Sequence, residues 1–341
     1  VADKLRAKHP RAQPARPALV ALGAASTAAV PDISAQDVLD AVKGFRRGSA
    51  ALRSAHADEV VAHLASVVQL LARGQDPLEL APHLAGATLY ALPKKDDDVR
   101  PIAVGETLRR LTSKCLCSAV RDAARDWLSP LQVGVAVPLG AEAAVHTARQ
   151  WMHRNTSRAG KCFLSVDFSN AFNSVDRAAL LREVRLRMPG LAPFAEWCYS
   201  HHSRLLFDGS CVTSEAGVQQ GDPLGPLLFA SALQPALNAV RSGPGEHQPE
   251  LAFTYLDDVC LAGTFHQVSA ALTRLTAAAR QVGLTLNAAK CELVTCAGDG
   301  AVDARLFPAG VVVNRSGAFS FLGAAVGNAA FCEAHTLQKR V

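Results

Sequence analysis

Two adjacent aspartates, Asp257 and Asp258, interrupt one of the most apolar stretches of the chain. They lie between Leu251 to Leu256 and Val259 to Ala262, two runs that read as β-strands. Neighbouring carboxylates repel each other, and an apolar surround removes the water that would screen them. A fold that accepts them must set them at the tip of a hairpin or neutralise them with a cation. The spacing predicts an antiparallel pair joined by a two-residue turn, Asp257–Asp258, which turn chemistry alone also allows. A third acid, Asp167, closes another apolar strand-like run that starts at Lys161.

With 341 residues, 49% of them apolar, the chain can bury a sizeable core, and disorder throughout is excluded. No apolar run reaches the roughly 20 uninterrupted residues that a bilayer demands, so no membrane partner is expected. Lys and Arg number 35 against 30 Asp and Glu, a net charge of +5. That balance permits a nucleic-acid partner without demonstrating one. The nine cysteines lack zinc-finger spacing and read as reduced, mostly buried thiols. The one set weighed for zinc is Cys291, Cys296, Cys332 and His335.

Helical signals begin at Ser34, followed by Asp37 in a capping-box pattern and by Val38, Leu39, Val42 and Phe45 at helical spacing. Further helices are predicted over Ala57–Arg73 with Gly74 as the stop, Glu106–Trp127, Asp176–Arg187, Leu224–Val240 and Gln267–Val282. Strands are predicted at Leu89–Pro93 and Pro101–Val104 around a charged turn. Another is expected at Cys291–Cys296, and a last hairpin from Val311–Val313 and Phe319–Leu322. In Glu106–Trp127, Arg110, Lys114, Arg121 and Arg125 share one angular sector, opposite Leu108, Leu111, Cys115, Ala119 and Ala123. Such a basic stripe suits a phosphate backbone, although an ordinary solvated face has the same pattern. The mixed order of elements indicates the α+β class.

Several short blocks together resemble the polymerase domain of reverse transcriptases, most closely those of LINE-type (non-LTR) retrotransposons. Leu92 to Lys95 with Arg100-Pro101-Ile102 resembles the fingers motifs. Phe163 to Phe172 (FLSVDFSNAF) resembles motif A, and Gly217 to Pro226 (GVQQGDPLGP) motif B. Phe253 to Asp258 (FTYLDD) resembles motif C, Gly283 to Lys290 (GLTLNAAK) motif D, and Phe321-Leu322-Gly323 the start of motif E.

The resemblance implies a right-hand palm and fingers, with an antiparallel palm sheet backed by helices. It divides the chain into a flexible basic, Pro- and Ala-rich lead-in (1–33), a fingers-like region (34–160), a palm (161–325) and the start of a truncated C-terminal region (326–341). Only 18 residues follow Gly323, so the thumb is expected to be absent or truncated and the chain to be a fragment or a decayed copy. The implied reaction is RNA-templated DNA synthesis from dNTPs onto a DNA primer. Asp167, Asp257 and Asp258 would hold two Mg²⁺ ions, with Mn²⁺ as a substitute. Lys94 or Lys95, with Arg100, would meet the triphosphate. Phe172, five residues past Asp167, would exclude the 2′-hydroxyl, or be a core aromatic. Gln220 and Gly221 would approach the base pair or sugar. Tyr255 would rest near the primer end, and Lys290 would donate a proton to pyrophosphate, unless each is an ordinary packing or surface residue. The reduced cysteines suit an intracellular protein, nuclear residence follows from the resemblance alone, and the oligomeric state stays open. The chain departs from the family at Gly48 to Ser54, where a glycine-rich fingers turn is missing, and at Gly225, where Ser is common. Two alternatives therefore stand beside the polymerase: an inactive remnant that binds nucleic acid, and an RNA-dependent RNA polymerase.

Overall fold

The computed structural model describes residues 1–12, 28–45, 57–75, 77–94, 98–297 and 303–338. Its strands, in chain order, are β1 (Ala87–Pro93), β2 (Val99–Gly105), β3 (Lys161–Val166), β4 (Ser203–Phe207), β5 (Ser210–Ser214), β6 (Leu251–Tyr255), β7 (Asp258–Thr264), β8 (Glu292–Thr295), β9 (Val312–Asn314), β10 (Phe319–Phe321) and β11 (Ala324–Val326). Sheets and helices do not alternate strictly, and most strand pairs are antiparallel, as the α+β class requires. The chain divides into two compact units, one made of residues 1–127 and 172–232, the other of 128–171 and 233–341.

The second unit carries a five-stranded sheet in the order β6-β7-β3-β8-β9. β3 is central and antiparallel to both neighbours. Its residues Cys162, Phe163 and Leu164 are all fully buried, so neither face is solvated. One face packs on the helix Gly140–Asn155 through Ala144, Val145, Ala148 and Met152. There Phe163 touches Trp151, Phe319 and Phe321, with ring centroids 6.3, 5.0 and 6.3 Å away. The helix Phe265–Gln281 lies along β7 and β3 and buries Val268, Leu272 and Leu275. A capping box between Thr264 and Gln267 starts it directly at the end of β7.

The first unit holds a four-stranded sheet, β2-β1-β4-β5, in which β1 pairs parallel with β4 and the other two pairs are antiparallel. Its core joins Leu89, Val99, Leu205 and Val212 to Leu5. Residues 2–7, part of the expected flexible lead-in, form the helix Ala2–Ala7, because Leu5 gains full burial against this sheet. The capping box at Ser34 and Asp37 opens the helix Ala35–Lys43 as the sequence predicts. No helix among the described residues is long and apolar enough to cross a membrane.

Two predicted elements are corrected. The single helix over Glu106–Trp127 is two, Thr107–Ala119 and Arg121–Leu128, separated at Val120, which leaves helical geometry with ψ 8°. The break changes the phase of the buried side: Leu111, Cys115 and Leu116 are buried before it and Ala124 after it, while Ala119 and Ala123 are exposed. The last hairpin also differs. β9 joins β8 in parallel, and β10 pairs instead with β11. The β10–β11 turn is Leu322–Gly323, with φ of 47° and 75°, the sign that a tight two-residue hairpin turn requires. Gly48 to Ser54 lie outside the described residues.

Phe163→Ala empties the centre of the ring cluster, and a loss of about 3–5 kcal/mol in unfolding free energy is expected from urea titration. A loss under about 1 kcal/mol would mean that the cluster does not anchor β3.

Candidate active site

The β3–β7 ladder runs from Lys161 opposite Thr264 to Val166 opposite Val259. One more step in the same register sets Asp167 across from Asp258, so antiparallel pairing itself delivers two acids from distant sequence to one sheet end. The β6–β7 ladder closes with Tyr255 opposite Asp258. The turn residues are therefore Leu256 and Asp257, not Asp257 and Asp258, and Asp258 is the first residue of β7. Leu256 takes the left-handed conformation, φ 57°. A residue with a side chain loses about 1–2 kcal/mol there. Thr254, fully buried, braces the turn: its hydroxyl lies 2.9 Å from the Leu256 carbonyl and 3.1 Å from that of Asp258.

Asp167 and Asp257 are half-buried, and Asp258 keeps part of its surface in solvent. The Asp258 carboxyl is pushed up to about 6, first by burial and then by the negative charges of Asp257 and Asp167. The three acids thus feel one another across a crowded site that stays open to water and ions. Among the described residues no three His, Cys, Asp or Glu side chains form a ready-made metal cage. The donor set suits a hard cation such as Mg²⁺, which takes one or two carboxylates and completes its shell with water and substrate phosphates. Relief of the repulsion that raises Asp258 is what such an ion would supply. Zinc finds no such set: Cys291 Sγ faces the backbone of Asn287, Cys296 abuts the Met152 sulfur at 4.0 Å, and the His335 ring meets the Gly323 carbonyl. All nine cysteines are free thiols.

The backbone around Asp167 is fastened to the segment 285–291. Ser169 N–H donates to Thr285 O and Asn287 N–H to Asp167 O, both at 2.9 Å, while Asp167 N–H points to Cys291 Sγ at 3.4 Å. Lys290 is exposed at the end of this segment, and Tyr255 is half-buried at the end of β6.

The remaining predicted residues belong to the first unit. Lys94 and Arg100 are exposed at the turn end of the β1–β2 hairpin, where Leu92 pairs with Arg100; Lys95 lies outside the described residues. Lys8 donates to Asp98 at 2.8 Å beside them, and this bond holds Asp98 down to about 2. The carbonyl of half-buried Gln220 accepts from Ala103 N–H at 2.6 Å. At Gly221, φ 127°, a Cβ would stand 2.3 Å from Ala103 O, so only glycine lets this loop lie on β2. Phe172 stacks on buried Phe229 at 4.5 Å and 15°, which occupies one face of its ring. Arg110 and Lys114 sit over the Phe45 ring at 5.0 and 4.3 Å, Arg125 pairs with Asp122 at 2.9 Å, and Arg121 is exposed. The helix break at Val120 thus splits the four cations between two helices.

Sequence reasoning missed the polar assembly under the Gly217 to Pro226 loop. Arg109, 3% exposed, donates to Asp222 Oδ2 at 2.7 Å, and to Gln219 Oε1 and Ala85 O at 2.6 Å. Tyr199 donates to Asp222 Oδ2 at 2.6 Å and Ser113 to Oδ1 at 3.0 Å. The guanidiniums of Arg109 and Arg177 both stand over the Tyr199 ring, at 5.3 and 5.2 Å. Burial pulls Arg109 down, but Asp222, Tyr199 and Cys198 together outweigh it and keep the guanidinium firmly charged. Losing one partner of such a pair costs about 3–5 kcal/mol. Arg109 carried no signal in the sequence beyond standing next to Arg110 on a helix.

The chain matches the family described as "Reverse transcriptase (RNA-dependent DNA polymerase)" over residues 92–326. It is 28% identical over 249 residues to the "Retrotransposable element SLACS 132 kDa protein" of Trypanosoma brucei gambiense, covering 69% of this chain and 20% of that protein. Over 145 residues it is 28% identical to the "Retrovirus-related Pol polyprotein from type-1 retrotransposable element R2" of Nasonia vitripennis, covering 40% of this chain and 14% of the relative. The chain therefore spans a fifth or less of the length of these two relatives. A solved apo telomerase from Candida tropicalis, truncated from its C-terminal domain, aligns with a TM-score of 0.46 and 13% identity, over 78% of this chain and 59% of that one.

Linkage gives the site a pH signature. The Asp258 carboxyl is raised to about 6 in the folded protein, from 3.8 otherwise. Its contribution to stability is present below the lower value and lost as pH rises through about 6. Without divalent ions, raising pH from about 5 to about 7.5 is expected to lower Tm more in the native protein than in Asp258→Asn. Millimolar Mg²⁺ should recover the Tm lost by the native protein, at the higher pH only. Identical pH profiles for the two proteins would show that the Asp258 carboxyl is not raised in the folded protein.

Proposed function

The chain belongs to the reverse transcriptase (RNA-dependent DNA polymerase) family, and from that premise we propose that it extends a DNA primer on an RNA template by two-metal nucleotidyl transfer. The observation that carries this reading is the convergence of Asp167 and Asp258 on one ladder end, with Asp257 in the adjoining turn. In the reaction the primer 3′-oxygen bonds to the α-phosphorus of a dNTP. The bond from that phosphorus to the bridging oxygen of pyrophosphate breaks, and the 3′-hydroxyl proton passes to solvent. Divalent ions, when bound, activate the hydroxyl and take up charge on the leaving group. Asp167 and Asp257 are the principal ligands in this reading, with Asp258 beside them.

The other roles follow the motifs. Lys94 and Arg100 are the cations for the triphosphate, one a point charge and the other a planar fork. Phe172 is the gate against a 2′-hydroxyl, and the stack on Phe229 supports that reading because a gate must be rigid. Gln220 and Gly221 lie on a loop held against β2, suited to close backbone approach. Tyr255 is assigned to the primer end and Lys290 to proton donation toward pyrophosphate. Arg110, Lys114, Arg121 and Arg125 are assigned to template phosphates. Regions 34–160 and 161–325 act as fingers and palm of a LINE-type retrotransposon protein that works in the nucleus.

Primer extension tests the proposal. Asp257→Asn is expected to reduce Mg²⁺-dependent dNTP addition on an RNA template by more than about 100-fold, with primer–template binding retained. Extension absent from the native protein despite such binding would leave the inactive remnant as the correct reading. Phe172→Ala is expected to improve NTP use relative to dNTP by at least about tenfold. A native preference for NTP would instead identify an RNA polymerase.

A further inference from the structure

Gln132 lies on the segment that leads into the helix Gly140–Asn155, more than a hundred residues before the Leu256–Asp257 turn. Its side chain is fully buried, and its amide reaches that turn. Gln132 Nε2 donates to Leu256 O at 3.1 Å, and Gln132 Oε1 accepts from Leu256 N–H at 2.8 Å. One side chain thus satisfies both backbone groups of the residue in the left-handed conformation. The same Oε1 accepts from Gly134 N–H at 2.9 Å, which fixes the orientation of the amide. The backbone on either side is tied down as well: Thr254 N–H donates to Leu131 O at 2.7 Å, and Val133 N–H to Thr254 O at 2.8 Å. Gly134 completes the fit, because a Cβ there would stand 2.7 Å from Leu256 N.

A leucine gains nothing locally from a positive φ; within the hairpin the Thr254 hydroxyl reaches its carbonyl, while its N–H is held from outside by Gln132. The only side chain amide bonded to both of its backbone groups among the described residues is that of Gln132. Asp257 follows Leu256 directly, so the dihedral angles of Leu256 set where the Asp257 carboxylate stands relative to Asp167 and Asp258.

We propose that Gln132 is a positioning residue for the reaction: it clamps Leu256 in the left-handed conformation and thereby places the Asp257 carboxylate for metal binding. This rests on the polymerase reading given above. Gln132 itself touches neither substrate nor metal.

The test compares the native chain, Gln132→Met, Leu256→Gly and the double variant. Methionine keeps the volume of glutamine without its amide, and glycine adopts a positive φ without penalty. Mn²⁺ affinity is read by electron paramagnetic resonance, thermal stability by calorimetry, and kcat and dNTP KM by primer extension. Gln132→Met is expected to weaken Mn²⁺ binding and lower kcat by about 10–100-fold, with dNTP KM nearly unchanged. In the Leu256→Gly background the same change is expected to have less than about a threefold effect, since glycine needs no clamp. A folded Gln132→Met with native Mn²⁺ affinity and kcat would overturn the proposal, as would equal losses in both backgrounds. If Gln132→Met does not fold alone, rescue of folding together with metal binding by Leu256→Gly supports the clamp, and failure of that rescue overturns it. A native chain that neither binds Mn²⁺ nor extends a primer would instead overturn the polymerase reading, and the clamp with it.

Discussion

Charge crowding at the end of an apolar strand pair is the constraint on which the second unit is built. β3 and β7 are buried along most of their length, and their ladder delivers Asp167 and Asp258 to the same end. The acids cannot retreat from one another, because Phe163 and its ring neighbours hold β3 while the helix Phe265–Gln281 covers the strands from β7 onward. Burial first, and then the charges of Asp257 and Asp167, raise the carboxyl of Asp258. The folding energy of the core holds together charges that would separate in water.

The first unit applies the same logic to a loop. The Gly217 to Pro226 stretch is held through its own Asp222 by Arg109 and Tyr199, and through Gln220 by Ala103 of β2. Its buried charges are paired and hydrogen-bonded, as burial demands. Gly221, in contrast, remains exposed, and so do Lys94 and Arg100 on the neighbouring hairpin. Rigid backbone with open small or cationic residues is what recognition of a phosphorylated ligand needs.

Much of this was legible in the sequence, and the failures have physical reasons. Continuous apolar runs located β3, β6 and β7, which are buried on both faces, the capping box located the helix Ala35–Lys43, and the stop at Pro189 and Gly190 bounded the helix Arg177–Arg187. The acidic hairpin was found but its turn misplaced by one residue. Aspartate is the better turn residue by local chemistry, whereas Leu256 occupies the first turn position under tertiary restraint. The break at Val120 was invisible because neither Gly nor Pro marks it in the sequence. Gln132, Arg109 and Tyr199 were missed for another reason. Each acts through partners dozens of residues away, and a lone buried polar side chain leaves no periodic trace in one sequence.

The most direct measurement of the central claim is anomalous diffraction from crystals soaked in Mn²⁺ with a non-hydrolysable dNTP analogue. The account predicts two peaks about 4 Å apart, bounded by the carboxylates of Asp167 and Asp257. An intact hairpin with no manganese at these acids, or with the ions bound elsewhere, would contradict it.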